Sequence, residues 1–279
     1  MTDISQSNRR RYQAPPMVRK YRGQSGLFPA EAKILADLAP SVGNRPVLDL
    51  GVGTGRTAPD LAALAGDYLG LDYAPRMIQA ARKAHPDLRF EVGDARGLDA
   101  LPADHFALVL FSFNGLDYID HAGRLRALAG IRRVLAPGGY FVFSSHNAAF
   151  TEPPPYARSR FVPSPNPLRT LVRAAHYLMG GLNYQRLRHG LREGEDWSLR
   201  VVGERNFSVV AYHIRPASQL AQLEAAGFST CGLYSFSGEP LLPGQPVSTK
   251  PAGDPEPWIY YVAQKPGPGN SPAPGFGLR

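Results

Sequence analysis

Residues 28–147 repeat a pattern in which short apolar runs alternate with longer amphipathic stretches. Short apolar runs that end at glycine or a polar residue predict buried strands, and apolar residues three or four positions apart predict helices. The predicted strands are 46–51, 67–73, 88–94, 106–113 and 140–147. The predicted helices are 28–39, 56–65, 75–85 and 121–135. This alternation predicts parallel strands with right-handed crossovers, and a ligand crevice at their carboxyl ends.

The pattern breaks after residue 147 and returns near residue 211. The intervening stretch has a proline cluster at 153–167 and a predicted helix at 168–179, ended by Gly180 and Gly181. A helix at 215–228 and strands at 230–236 and 257–264 follow, and these two strands are expected to form an antiparallel hairpin. The predicted fold is α/β: a doubly wound, Rossmann-like, seven-stranded sheet, mostly parallel with an antiparallel edge strand, and a helical lid insertion.

The same pattern divides the chain into five segments. An N-terminal arm is predicted for 1–27, with no regular structure over 1–15. Residues 28–147 form the ligand-binding core and 148–210 the lid. Residues 211–265 complete the sheet, and 266–279 are predicted to be a disordered tail.

Composition narrows the class of protein. The formal net charge is +8, and the cationic residues are mostly arginine. This balance indicates either an anionic partner or arginines spread over a solvated surface, and the absence of long basic runs favours the surface. The single cysteine, Cys231, excludes an intramolecular disulfide. With no apolar run of 18 residues and no signal peptide pattern, a cytoplasmic protein without membrane contact is expected.

The segment VLDLGVGTGRTA at 47–58 carries the strongest chemical signal. A strand with an acidic end, Asp49, leads into a turn with Gly51, Gly53 and Gly55, where absent side chains would let a ligand approach the backbone. Asp49 is placed to accept hydrogen bonds from a cationic or hydroxylated ligand group. A dinucleotide fingerprint would need a third glycine at position 56, which is arginine.

This G-x-G-x-G turn resembles motif I of the class I S-adenosylmethionine-dependent methyltransferases. Asp72 ends the second predicted strand, Asp94 ends the third, and RVLAPGG at 133–139 precedes the fifth, in the order found in that family. The resemblance covers 28–147, and more loosely 211–264. It implies the small-molecule type of this family, with S-adenosyl-L-methionine as cofactor and S-adenosyl-L-homocysteine as product.

The resemblance also implies roles for single residues. Asp72 would accept the ribose hydroxyls, Tyr73 and Met77 would flank the adenine, and Asp94 would accept its amino group beside the Ala95 amide. Tyr21 would fold over the cofactor carboxylate, and Arg56 would either pair with that carboxylate or cap the helix. The predicted cofactor-binding residues are Tyr21, Asp49, Gly51, Val52, Gly53, Gly55, Arg56, Asp72, Tyr73, Met77, Asp94, Ala95, Arg96, Phe111, Ser112 and Phe113.

The acceptor is predicted to be a small molecule methylated at oxygen or nitrogen. Residues 112–115 lack the Pro-Pro tetrad of enzymes that methylate nucleic-acid amino groups. The aromatic residues of 148–210 would suit an aromatic or apolar acceptor, such as a specialised metabolite from natural product biosynthesis, or would form only the core of the lid. An RNA or protein methyltransferase and a non-catalytic cofactor-binding homologue are the alternatives.

Direct methyl transfer to a hydroxyl needs a base. His146, at the end of the fifth predicted strand, is the candidate catalytic residue. His213, Asp117, Tyr118 and Tyr212 also lie on segments expected near the crevice. No cluster of metal ligands stands out, so no metal is predicted. The expected partners are a small-molecule acceptor, no nucleic acid and no membrane, with the chain a monomer or homodimer.

Overall fold

The structure is a computed structural model that describes residues 4–150, 153, 157, 161–203, 206–241 and 256–267. The helices are α1 (Ile4–Tyr12), α2 (Pro15–Arg22), α3 (Pro29–Val42), α4 (Ala58–Leu64), α5 (Pro75–Ala84), α6 (His121–Val134), α7 (Pro167–Leu187) and α8 (Pro216–Ala225). The strands are β1 (Val47–Leu50), β2 (Tyr68–Asp72), β3 (Phe90–Val92), β4 (Phe106–Phe111), β5 (Leu135–Asn147), β6 (Trp197–Val201), β7 (Val210–Ile214), β8 (Ser229–Tyr234) and β9 (Trp258–Gln264). Short 3-10 helices occupy Gly115–Tyr118 and Arg188–Gly190.

One twisted sheet organises the described residues. Strands run in the order β3-β2-β1-β4-β5 and are parallel. The other edge of β5 pairs antiparallel with β9, which pairs antiparallel with β8. These seven strands confirm the predicted doubly wound sheet. The antiparallel strand β9 lies one position in from the edge, because β8 flanks it.

Helices cover both faces of this sheet, which explains its continuous apolar strands. Every residue of β1 and β4 is buried. One face packs on Ile34 and Leu38 of α3, and the other on Leu128 and Ile131 of α6. Strands buried on both faces carry apolar side chains without polar alternation.

Two strands were not predicted from the sequence, β6 within the predicted lid and β7 where the lid ends. Strands β6 and β7 form an antiparallel hairpin, and β7 pairs parallel with the end of β5, where His146 lies opposite His213. The hairpin therefore extends the sheet beyond the carboxyl end of β4. Strand β6 alternates apolar Trp197, Leu199 and Val201 with polar residues, a pattern that the sequence analysis missed, and its partner β7 is set by contacts distant in sequence.

The N-terminal arm has regular structure, contrary to the prediction for residues 1–15. Helices α1 and α2 cover most of its described residues. The buried Asn8 donates from Nδ2 to the carbonyl oxygens of Tyr118, at 3.1 Å, and Val210, at 2.9 Å. A polar helix without apolar periodicity is held here by tertiary hydrogen bonds that local sequence reading does not detect.

Two predicted element boundaries are wrong, and both lie at glycines. Helix α7 does not end at Gly180 but continues to Leu187. Strand β5 begins at Leu135 and so includes Pro137–Gly139 instead of following them. The predicted β8–β9 hairpin is confirmed. Residues 268–279, most of the predicted tail, lie outside the described residues, and the division into five segments stays a prediction. No described helix is long and apolar enough to cross a membrane.

Candidate functional site

A cavity that is partly open to solvent lies over the carboxyl ends of β1, β2 and β4. Most of the predicted cofactor-binding residues line it: Tyr21, Gly51, Val52, Gly53, Arg56, Asp72, Tyr73, Met77, Asp94, Ala95, Arg96, Phe111, Ser112 and Phe113. Tyr12 and Gln24 of the N-terminal segment also line it, together with Tyr118. The strands bring these residues together because parallel strands present their carboxyl ends at one edge.

Asp72 places a buried carboxylate in the cavity wall. The amide of Gly53 donates to its Oδ2 at 3.0 Å, and the amide of Ala74 donates to its Oδ1 at 2.8 Å. Burial raises the pKa of this carboxyl to about 6, although both amides oppose the rise. Each carboxylate oxygen accepts more than one hydrogen bond, so Asp72 retains capacity for donors from a ligand.

Asp94 lies in the same wall and is paired with Arg96. The Arg96 Nη2 is 2.7 Å from Asp94 Oδ2, and the Arg96 amide donates to Oδ1 at 2.9 Å. Burial works against ionisation, but these hydrogen bonds hold the pKa of Asp94 below its ordinary value. A ligand at this position would therefore meet an ionised carboxylate that shares its charge with a guanidinium.

Aromatic rings from the N-terminal helices close one side of the cavity. The Tyr12 ring lies 6.0 Å from Tyr21 and 6.4 Å from Tyr73, and Tyr21 lies 6.1 Å from Phe113, between centroids. The hydroxyl of Tyr73 is buried and has no hydrogen-bond partner among the described residues. A buried donor without a partner is costly, so this hydroxyl favours a polar ligand atom nearby.

Two predicted residues lie behind the cavity and not in its wall. Asp49 is fully buried, and its Oδ2 accepts hydrogen bonds from Thr57 Oγ1 at 2.7 Å and Tyr68 Oη at 3.0 Å. Burial raises its pKa to about 7. A Cβ on Gly55 would lie 2.7 Å from the His85 ring. Asp49 therefore fixes the start of α4, and Gly55 makes room for His85 instead of a ligand.

Arg56 forms an ion pair with Glu31, a partner that the sequence did not identify. Its Nη1 and Nη2 lie 2.8 and 2.9 Å from the two carboxylate oxygens of Glu31, which is fully buried in α3. Arg56 also donates to the Gly26 carbonyl at 2.7 Å and to Ser112 Oγ at 2.6 Å. Neither predicted role, pairing with a cofactor carboxylate or capping α4, describes this arrangement. The guanidinium ties α3 to the glycine turn.

His146 does not line the cavity, which corrects its expected position. Its Nδ1 lies 2.8 Å from Asp117 Oδ2, and its Nε2 lies 3.4 Å from the side-chain nitrogen of Asn114. Asp117 also contacts Arg124 Nη1 at 2.6 Å, and both side chains are fully buried. Burial opposes ionisation of Asp117, but Arg124 and His146 hold its pKa below the ordinary value. The Asp117 carboxylate therefore fixes the orientation of the His146 imidazole, which lies behind the cavity wall and does not line the cavity.

The other predicted base candidates have separate placements. His213 stacks on His146 at 4.7 Å, and burial followed by that neighbour lowers its pKa to about 3. Tyr212 accepts or donates a hydrogen bond with His121 at 2.8 Å, away from the cavity wall. Tyr118 lines the cavity and packs edge-on against His146 at 6.3 Å. In the described residues, no three His, Cys, Asp or Glu side chains are grouped to hold a metal ion.

An aromatic wall connects the cavity with His146. Phe28 lies 5.3 Å from Phe113, and Phe113 lies 5.3 Å from Trp258. Trp258 in turn lies 6.2 Å from His146 and 5.5 Å from Phe236. The rings of the insertion pack elsewhere: Tyr177 on Phe161, Tyr184 on Phe207, and Trp197 on His121. The apolar surface beside the cavity therefore comes mainly from the core and not from the insertion.

Residues 47–139 match the profile of a family described as a methyltransferase domain. The chain is 36% identical over 117 residues to a demethylmenaquinone methyltransferase of Beutenbergia cavernae, covering 41% of this chain and 45% of that protein. It is 36% identical over 95 residues to a trans-aconitate 2-methyltransferase of Methylobacterium nodulans, covering 33% of this chain and 35% of that protein. The match thus spans less than half the length of these curated relatives.

Solved structures share the fold over most of the chain. An S-adenosylmethionine-dependent methyltransferase from Mesorhizobium loti superposes with a TM-score of 0.56 at 25% identity, covering 84% of this chain and 97% of that one. A TehB-like methyltransferase from Corynebacterium glutamicum gives a TM-score of 0.52 at 18% identity, covering 94% and 97%. The likeness therefore includes the sheet and extends well beyond the matched segment.

Proposed function

We propose that the chain is a class I S-adenosylmethionine-dependent methyltransferase that methylates a small apolar or aromatic molecule at oxygen or nitrogen, a proposal that the matched methyltransferase domain and the shared fold support. The observation that carries the proposal is the cavity over the strand ends, which joins the buried Asp72 carboxylate to an aromatic wall. S-Adenosyl-L-homocysteine is the expected product. The partner is a small-molecule acceptor and not a nucleic acid, and the oligomeric state is a monomer or a homodimer.

The cavity residues fit S-adenosylmethionine in chemistry. Asp72 would accept the ribose hydroxyls, because its oxygens each hold one backbone hydrogen bond and can accept more. Tyr73 and Met77 offer flat and flexible apolar contacts for adenine. Asp94 and the Ala95 amide would meet its polar edge. The bound cofactor supplies an electrophilic methyl group on a sulfonium sulfur.

Calorimetric titration tests whether the cavity binds the cofactor. We expect calorimetric titration with S-adenosylhomocysteine to show binding that Asp72→Asn weakens at least tenfold, since an amide accepts fewer hydrogen bonds than a carboxylate. Asp60→Asn, at an exposed position of α4, is the matched control and should bind like the parent. No detectable binding by the parent chain would overturn the proposal.

The aromatic wall supports an apolar acceptor. Phe28, Phe113 and Trp258 form a continuous surface from the cavity wall towards His146. Aromatic acceptors would stack there with favourable geometry. The relatives' names include demethylmenaquinone and trans-aconitate. An aromatic acceptor such as demethylmenaquinone suits this wall better than trans-aconitate, because trans-aconitate would bring several carboxylates against aromatic side chains.

His146 is the base that we propose for a hydroxyl acceptor. Asp117 Oδ2 accepts a hydrogen bond from Nδ1–H and so leaves Nε2 as the basic nitrogen. Because His146 lies behind the cavity wall, the acceptor hydroxyl would have to displace the Asn114 amide, a long, weak partner of Nε2 at 3.4 Å, to reach this nitrogen. Asp117 is a positioning residue in this scheme. An amine acceptor would need only alignment in its unprotonated form.

The base is tested separately from cofactor binding. With a panel of quinols, phenols, aromatic amines and trans-aconitate, His146→Gln should lower kcat for hydroxyl acceptors about a hundredfold or more. Its affinity for S-adenosylhomocysteine should stay within twofold of the parent. His105→Gln, remote on the edge-on contact with Phe106, is the control. Unchanged turnover of a hydroxyl acceptor by His146→Gln would exclude this role.

A further inference from the structure

Helix α7 carries an apolar face that no described residue covers. The residues of this face are 54% to 74% exposed. They are Leu168, Leu171, Val172, Leu178, Met179 and Leu182. Their spacing of three and four positions places them on one side of the 21-residue helix. Helices of water-exposed proteins turn such a face inward, so this orientation is unusual.

Packing on the opposite face fixes this orientation. Tyr184 packs on Phe207 at 6.2 Å, and Asn183 Nδ2 donates to the carbonyl of Asn206 at 2.9 Å. A Cβ on Gly180 would lie 2.6 Å from Asn206 Oδ1, so the helix sits close to this turn. Polar and aromatic side chains thus attach α7 to the protein, and the aliphatic side chains are left outside.

The segment that contains this helix is rich in arginine and is bounded by acidic residues, Glu152 before it and Glu193, Glu195 and Asp196 after it. Residues 153–192 contain seven arginines and neither aspartate nor glutamate, so they carry a formal charge of +7. The arginines are at positions 158, 160, 169, 173, 186, 188 and 192. Charge and exposed apolar area coincide in one segment.

We propose that α7 binds the surface of an anionic phospholipid bilayer, lying flat with its apolar face in the interface. An interfacial helix combines an apolar face with basic flanking residues and needs no spanning length. The flanking Arg169 and Arg186 are exposed and would meet lipid phosphates. A second copy of this chain is a poorer occupant, because two α7 helices would bring their arginines together and α7 itself contains no acidic residue.

The surface is connected with the cavity through the β6–β7 hairpin. The turn at Asn206 and Phe207 that holds α7 leads into β7, and Val209 and Ala211 pack with Tyr12 and Met17 of the N-terminal helices. Tyr12 lines the cavity. A bilayer under α7 would therefore support the elements that cover the proposed active site. This inference goes beyond the proposed function, since vesicle binding requires no cofactor, and it replaces the expectation of no membrane contact.

Vesicle flotation of the whole chain tests the proposal. We expect partitioning onto phosphatidylcholine vesicles that contain about one third phosphatidylglycerol, and little onto phosphatidylcholine alone. The double variant Leu171→Glu/Leu178→Glu should lower partitioning at least tenfold. Leu125→Glu, an exposed leucine on α6, should leave it unchanged. Arg169→Gln/Arg186→Gln should lower it about 30-fold, at roughly fivefold for each arginine near the surface.

Two results would overturn the proposal. The first is absence of flotation with anionic vesicles, or flotation that the Leu171→Glu/Leu178→Glu variant leaves intact. The second is a dimer in light scattering that this variant dissociates while the parent ignores vesicles, which would assign α7 to a second copy. Circular dichroism of each variant should match the parent, because the substituted side chains are exposed.

Discussion

Charged side chains are arranged differently around the cavity and in the insertion. Around the cavity, charged side chains are buried and paired: Arg56 with Glu31, and Arg124 with Asp117. On α7 of the insertion, Arg169, Arg173 and Arg186 are exposed, and leucines face outward. Buried pairs fix geometry because breaking them leaves a charge in a poor solvent. The cavity is thus built for one small ligand, and the insertion presents a surface.

The largest effect should come from breaking the ion pair that fixes the cavity. Glu31→Leu would leave the Arg56 guanidinium without its carboxylate and should lower the free energy of unfolding by about 3–5 kcal/mol. Urea denaturation measures this loss. Glu224→Leu, at an exposed position of α8, should change stability by less than about 0.5 kcal/mol. Similar losses in both variants would contradict the role of the buried pair.

Gly51→Ala should show how tightly the glycine turn is packed. Gly51 has a φ of +63°, and its Cβ would lie 2.7 Å from the Phe111 ring. Positive φ and steric overlap together should cost about 2–3 kcal/mol of stability. Affinity for S-adenosylhomocysteine should also fall, because Gly51 lines the cavity. An unaltered denaturation midpoint would show that Phe111 moves aside freely.

The pH dependence of cofactor binding should report Asp72. Its pKa is raised to about 6 from 3.8 by burial, so between these values the folded state keeps a proton that the unfolded chain has lost. Its contribution to stability therefore falls as pH rises through that window. Binding to ribose hydroxyls uses the ionised form, and affinity should fall about tenfold from pH 8 to pH 5. Asp72→Asn should remove this dependence, and a parent chain with flat affinity would refute it.

The smallest effect should be a gain of stability in α7. A Cβ on Gly181 meets nothing within 4 Å. Gly181→Ala should therefore raise the free energy of unfolding by about 0.5–1 kcal/mol through helix propensity. Gly180→Ala in the same helix should lower it, because that Cβ would meet Asn206 at 2.6 Å. Equal changes at both positions, measured by thermal denaturation, would contradict the packing of α7 on the turn.

The same two regions differ in what their sequence predicts. Asp72 and Asp94 follow strands that periodicity identifies, and both lie in the cavity wall. Asp49 follows the same rule but is used by Thr57 and Tyr68 inside the core. Local pattern thus places a residue at a strand end but does not decide which neighbour takes its side chain.

Contacts between residues distant in sequence explain the features that the sequence analysis did not predict. Glu31 pairs with Arg56, 25 residues away, and Asp117 bonds His146 across 29 residues. Strand β7 exists because β5 and β6 pair with it. Helix α7 passes Gly180 because the glycine lets it approach Asn206. Each of these depends on tertiary contacts, which propensity and periodicity do not contain.

A crystal structure with S-adenosylhomocysteine bound would test the central claim most directly, since that claim assigns the cavity over β1, β2 and β4 to the cofactor. We predict both ribose hydroxyls within hydrogen-bond distance of the Asp72 carboxylate, with adenine against Met77. The sulfur should face the aromatic wall of Phe28, Phe113 and Trp258. A ligand bound elsewhere, or a ribose that does not contact Asp72, would contradict the account.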